Sequence, residues 1–140
     1  MFNVPLEELL QIYILYIRSL VEESAVVWHT SITSNEEKDL ERIQKVTLRL
    51  ILGDYYTNQI HALKETGLET LKARRTKLSL KFAIKCVKND KTTHMFPKNG
   101  HPVDTRHHET FHVTKARTSR LAKSAIPYMQ RLLNDHYKRK

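Results

Sequence analysis

Arg74, Lys77, Lys81, Lys85 and Lys88 are spaced three, four, four and three residues apart. On an α-helix turning about 100° per residue, they fall within roughly 80° of arc. Like charges at this spacing repel by about 0.2–0.5 kcal/mol per pair on an isolated helix. A helix that needed only solubility would carry glutamates among them, yet no acid occurs between Glu69 and Asp90. The row therefore costs stability until an anion lies along it, and a phosphate backbone is an anion of suitable repeat. Such contacts hold a nucleic acid without reading its sequence. The plainer alternative is a solvated, lysine-rich face. Arg75 beside the row, and Arg117, Arg120 and Lys123 further on, are secondary candidates for the same work.

Histidine is the other concentration of reactive side chains. His94, His101, His107, His108 and His112 crowd one stretch, and His108 and His112 have the spacing of a metal-binding pair on one helical turn. Pro97, Gly100 and Pro102 nearby argue against a regular helix there. Cys86, the one thiol, sits among apolar residues and reads as packing. The expectation is no metal and no cofactor, with partly charged histidines beside phosphate as the functional reading. No glycine-rich phosphate loop, GxSxG or HExxH occurs. No two carboxylates are forced together against an apolar wall, as a two-metal polymerase or nuclease centre requires. The expectation is a chain without catalysis.

Charge is segregated along the chain. Residues 1–67 hold six Lys/Arg against ten Asp/Glu, a net of −4, and residues 68–140 hold the remaining eighteen against five, a net of +13. Excess lysine for solubility explains the total of +9 but not its placement in one half, which points to a polyanionic partner. One cysteine excludes a disulfide framework. No signal peptide is expected, because Glu7 and Glu8 interrupt the first apolar run. No stretch approaches the roughly 20 apolar residues of a membrane span. The implied setting is intracellular, nuclear or cytoplasmic, with no membrane partner.

The elements that must position these residues are helical. Three glycines and four prolines in 140 residues are too few for a sandwich or barrel rich in turns. Pro5 followed by Glu7 and Glu8 starts a helix, and Leu6, Leu9, Leu10, Tyr13, Tyr16, Ile17 and Leu20 give it an apolar face over 5–23. Residues 24–28 either extend it or break into a short extended piece, with Trp28 as a core anchor. Ser34 with Glu37 reads as a capping box for a helix over 35–52, closed by Gly53. A short helix over 59–66 ends at Gly67. The next, 70–88, has Leu71, Leu78, Phe82 and Cys86 as its seam, on the side away from the cations. Residues 89–114 lack periodicity, and an irregular segment this long is functional or mobile. One helical turn at 119–124 and a last helix from Pro127 to about Tyr137 follow. The expected fold is all-α: a small thumb-like helical bundle over 1–88, an irregular basic, histidine-rich loop over 89–118, and a C-terminal helix and tail over 119–140.

Several segments, in order, resemble one family. Ile17 to His29, with Trp28 near its end, resembles the segment after the polymerase palm in reverse transcriptases of LINE-type, non-LTR retrotransposons. Asp39 to Leu52 is similar to the next thumb helix of those enzymes. Gly67 to Leu71 with Arg74-Arg75 resembles their box of a leucine followed by paired arginines. His94 to Pro97, Lys115 to Thr118 and Ser124 to Asn134 are similar to the C-terminal tail of one branch. The resemblance implies the thumb and tail of such an enzyme, with the palm, fingers and endonuclease expected before Met1. It further implies a module that closes over RNA, DNA or an RNA–DNA hybrid, and a nuclear location if the role is retained. Two alternatives stand beside it: a helical protein-interaction module, using exposed apolar surface around Tyr13, Tyr16 and Trp28, or a truncated element remnant without function.

Overall fold

The computed structural model describes residues 4–100 and 110–138. Among these the architecture is all-α, and the sole β feature is an isolated antiparallel bridge between Lys98 and Phe111. The helices are α1 (Leu6–Ile12), continued by a π-helical segment (Tyr13–Arg18) into α2 (Ser19–Glu22), then α3 (Ala25–Trp28), α4 (Ser34–Leu52), α5 (Gln59–Thr66), α6 (Leu71–Lys88), α7 (Ser119–Ala122) and α8 (Ala125–Lys138). The chain forms two compact units. One comprises Met1–Ala25 and Ile32–Arg75, the other Val26–Ser31 and Thr76–Lys140. The division falls inside α6, whose Ala83 and Cys86 belong to the core of the second unit.

In the first unit, Leu48, Leu52 and Ala62 are buried together, with Leu10, Tyr56, Leu63 and Leu68 packed against them. The helical run from residue 6 to 22 forms as expected, but the π register changes which residues face inward. Each residue turns less in the i→i+5 register, so the apolar phase slips. Tyr13 is buried, at 1% exposure, while Tyr16 and Leu20 come out into solvent. Ser19 donates its hydroxyl to the Leu15 carbonyl in this segment. Ser24 then takes a left-handed φ of 51°, which ends the run and lets α3 start as a separate turn.

The capping box of α4 lies one residue earlier than predicted. Thr33, in extended conformation, caps the helix: its Oγ1 accepts from Glu36 N–H at 3.3 Å, and the Glu36 carboxylate accepts from Thr33 N–H at 2.6 Å. Glu37 is thereby left for other work. The hydrogen bonds that Thr33 donates to it, from its backbone N–H and from its hydroxyl, hold the Glu36 carboxyl below the usual carboxylate range. Their contribution is present at neutral pH and lost as the pH falls through that lowered value. Thr33→Ala should destabilise the first unit by about 1 kcal/mol, measured by urea denaturation at pH 7. Gly67 closes α5 with φ 65°, and Leu68 N–H donates back to Leu63 O at 3.0 Å, a left-handed C-cap that favours glycine.

The second unit is built on the rest of α6 and on α8. Ala83 and Cys86 of α6, Met129 and Leu133 of α8, and Phe96 and Phe111 from the intervening chain form its core, so Cys86 packs as expected. Trp28, expected as a core anchor, is half-buried. Two amides on α8 organise the segment that lacked periodicity. Gln130 accepts from Thr114 N–H at 2.8 Å and donates to Met95 O at 2.9 Å. Asn134 accepts from Phe111 N–H at 2.8 Å and donates to Phe111 O at 2.9 Å. These side chains stand in for a neighbouring strand, satisfying backbone groups that a buried irregular segment would otherwise orphan.

Candidate nucleic-acid interface

The inward row of α6 is Leu71, Arg75, Ser79, Ala83 and Cys86. This is a rotation of the predicted seam. Phe82 was expected inside and is 46% exposed. The centre of the row of Arg74, Lys77, Lys81, Lys85 and Lys88 still lies roughly 140° from the middle of the buried row, with Lys85 nearest at about 100°, by the pitch of the helix.

Its members differ in what they meet. Arg74 donates from Nε to Glu22 Oε1 at 2.8 Å, with Arg18 Nε 3.6 Å from the same oxygen. Its charge is met by a carboxylate of the front half, so it leaves the candidate set. Arg75 leaves for a stronger reason. It is 0% exposed, with Nη2 3.7 Å from Glu37 Oε1, and a side chain with no surface cannot meet a phosphate. Burial pulls its pKa down, and Glu41, Glu37 and Glu22 oppose that shift. Those acids come from α4 and α2, far away in sequence.

Lys77 is exposed and already engaged by another group. Lys81, Lys85 and Lys88 are exposed and form no ion pair among the described residues. Arg117, Arg120 and Lys123 are exposed as well. Thr118 caps α7 by accepting from Leu121 N–H at 3.2 Å, and Arg131 donates to the Ala122 carbonyl, so Arg120 and Lys123 stand on a defined turn. Of the predicted cations of the second unit, those exposed and without an ion pair among the described residues are therefore three lysines of α6 and the group around α7.

Of the histidines, His94 and His112 are exposed, while His101, His107 and His108 lie outside the described residues. Among the described residues no three His, Cys, Asp or Glu side chains gather where a metal ion could sit. No helix there is long and apolar enough to cross a membrane.

One basic row escaped the reading by regions. Lys38, Arg42, Lys45 and Arg49 follow one another at four, three and four residues on α4, within roughly 60° of arc. All four are exposed, and none forms an ion pair among the described residues. The helical-spacing test that found the α6 row would have found them. They were hidden because the acids of the same helix cancel them in the sum for residues 1–67. Set against known proteins, the chain matches no family model, no curated protein and no solved structure.

Proposed function

We propose that this chain is a non-catalytic nucleic-acid-binding module that holds a phosphate backbone without sequence preference. The observation that carries the reading is the presence of Lys81, Lys85 and Lys88 on the outward face of α6, exposed and without carboxylates to meet them among the described residues. Arg117, Arg120 and Lys123 are further contacts. The proposed origin is the thumb and tail of a LINE-type reverse transcriptase, for which the support is the ordered set of resembling segments. In that setting the partner is RNA, DNA or an RNA–DNA hybrid, and the location nuclear.

The test is fluorescence anisotropy with a labelled RNA–DNA hybrid. With three or four phosphates contacted, affinity should fall by about 40- to 150-fold between 50 and 200 mM salt, since the logarithmic slope is near −0.9 per contact. Lys81→Glu/Lys85→Glu should weaken binding at least about tenfold at low salt and reduce the slope by about two. These lysines are exposed, so the variant keeps its fold. Affinity unchanged within twofold would remove the α6 face from the interface.

A second reading, a protein partner on the first helix, is favoured by one observation. Leu15, Tyr16 and Leu20 are all more than half exposed there, although Tyr13, expected among them, is buried. A pull-down repeated after nuclease treatment separates the two, because contacts bridged by nucleic acid disappear.

A further inference from the structure

The α4 row borders a groove of about 870 Å³ within the first unit, between α4 and α5. Lys38, Arg42, Lys45 and Arg49 form one wall, and Val46, Ile60 and Leu63 provide apolar surface. Ile60 is 82% exposed, an apolar side chain standing at the open end of α5 with nothing of its own unit over it. Two acids also line the groove, and both are already committed. Glu41 Oε1 accepts the Lys72 backbone N–H at the start of α6 at 2.7 Å, and Glu37 holds Lys72 Nζ at 3.0 Å and Arg75 Nη2 at 3.7 Å. The groove is therefore apolar inside and positive along one edge.

We propose that this groove docks an acidic amphipathic helix of a partner protein. Charge complementarity selects acid, and the exposed apolar residues between the cations select a segment with an apolar stripe. A helix suits better than an extended strand, because the groove is walled by helices and offers no strand edge to pair with an open backbone. Nucleic acid fits it less well. No aromatic ring lines the groove to stack a base, and a trough of this volume holds a few side chains, not a duplex. From Lys38 to Arg49 the row rises about 16 Å, so a partner helix of about three turns would run its whole length. The groove shares no residue with the α6 lysines, and the proposal stands or falls without them.

The probe is a fluorescein-labelled synthetic peptide of about 15 residues, with leucine at i, i+3, i+4 and i+7 and glutamate elsewhere, beside a scrambled peptide of the same composition. The full chain should bind the patterned peptide at least about tenfold more tightly than the scrambled one, which shares its charge but not its stripe. Ile60→Ser and Arg42→Ala, both at exposed positions, should each weaken the patterned peptide at least about fivefold, with circular-dichroism melting curves unchanged. Ile60→Ser should leave hybrid binding within about twofold, since phosphate contacts need no apolar residue. Equal binding of the two peptides, or indifference to Ile60→Ser, would overturn the proposal. So would equal weakening of hybrid and peptide by Arg42→Ala with competition between them, which would assign the α4 row to nucleic acid.

Discussion

Arg75→Ala should destabilise the protein by about 3 kcal/mol in urea denaturation, near the lower end of what breaking a buried ion pair costs. The guanidinium is fully enclosed, and Glu41, Glu37 and Glu22 favour its charged form. The lower end applies because two of them keep some water, the Glu37 side chain being 27% and the Glu22 side chain 14% exposed. If the loss is electrostatic, it is coupled. Glu37→Gln made in an Arg75→Met background should then cost less than Glu37→Gln made alone. Additive losses, or a loss below 1 kcal/mol for Arg75→Ala, would mean that the guanidinium is solvated in solution. The same burial is why this residue, one of a pair of adjacent arginines in a basic helix, works in stability and not in binding. Its neighbour Arg74 is only partly exposed and is held by Glu22.

Asn134→Ala should cost about 2–4 kcal/mol, because it orphans both the buried N–H and the buried C=O of Phe111, each worth about 1–3 kcal/mol when left unsatisfied. Asn134 is 3% exposed and Phe111 1%, so water cannot readily replace the amide. Leu133→Ala, removing a fully buried apolar side chain next door, should cost a similar 2–5 kcal/mol and serves as the scale for the unit. Asn134→Asp separates the hydrogen bonds from the packing. The new carboxyl keeps the acceptor for Phe111 N–H but, when ionised, places a charge against Phe111 C=O in the core. Burial raises its pKa above the unfolded value, so the ionised form is the costly one. The sign follows: the variant should be closer to the wild type at pH 4.5 and fall further behind as the pH rises through that raised pKa. A deficit independent of pH would show that the amide is not held against Phe111.

These two residues mark where reading the sequence stops. The helices were legible because their determinants are local. A helical hydrogen bond joins residues four apart, and its caps lie within a turn, so Gly53, Gly67 and the apolar spacing of α4, α5 and α6 place those elements to within a residue or two. The mutual placement of Lys77, Lys81, Lys85 and Lys88 is local in the same sense, since helix pitch alone puts them on one face. Even the missed α4 row was available by that rule, and was concealed only by summing charge over a region.

What faces inward was not available. On α6, Arg75 and Ser79 are inside and Phe82 is outside, against every hydrophobicity ranking. For Arg75 the reason is that α4 presents Glu37 and Glu41 to that helix from more than thirty residues away, Glu41 capping the Lys72 N–H and Glu37 pairing with the guanidinium. In the same way Gln130 and Asn134 look like surface amides on α8 until Thr114, Met95 and Phe111 arrive to use them. Short-range hydrogen bonding along the chain thus determined the helices and the order of their charges. Which charges remain at the surface was decided by long-range pairing, because a charge enters a core only where folding brings its partner to it.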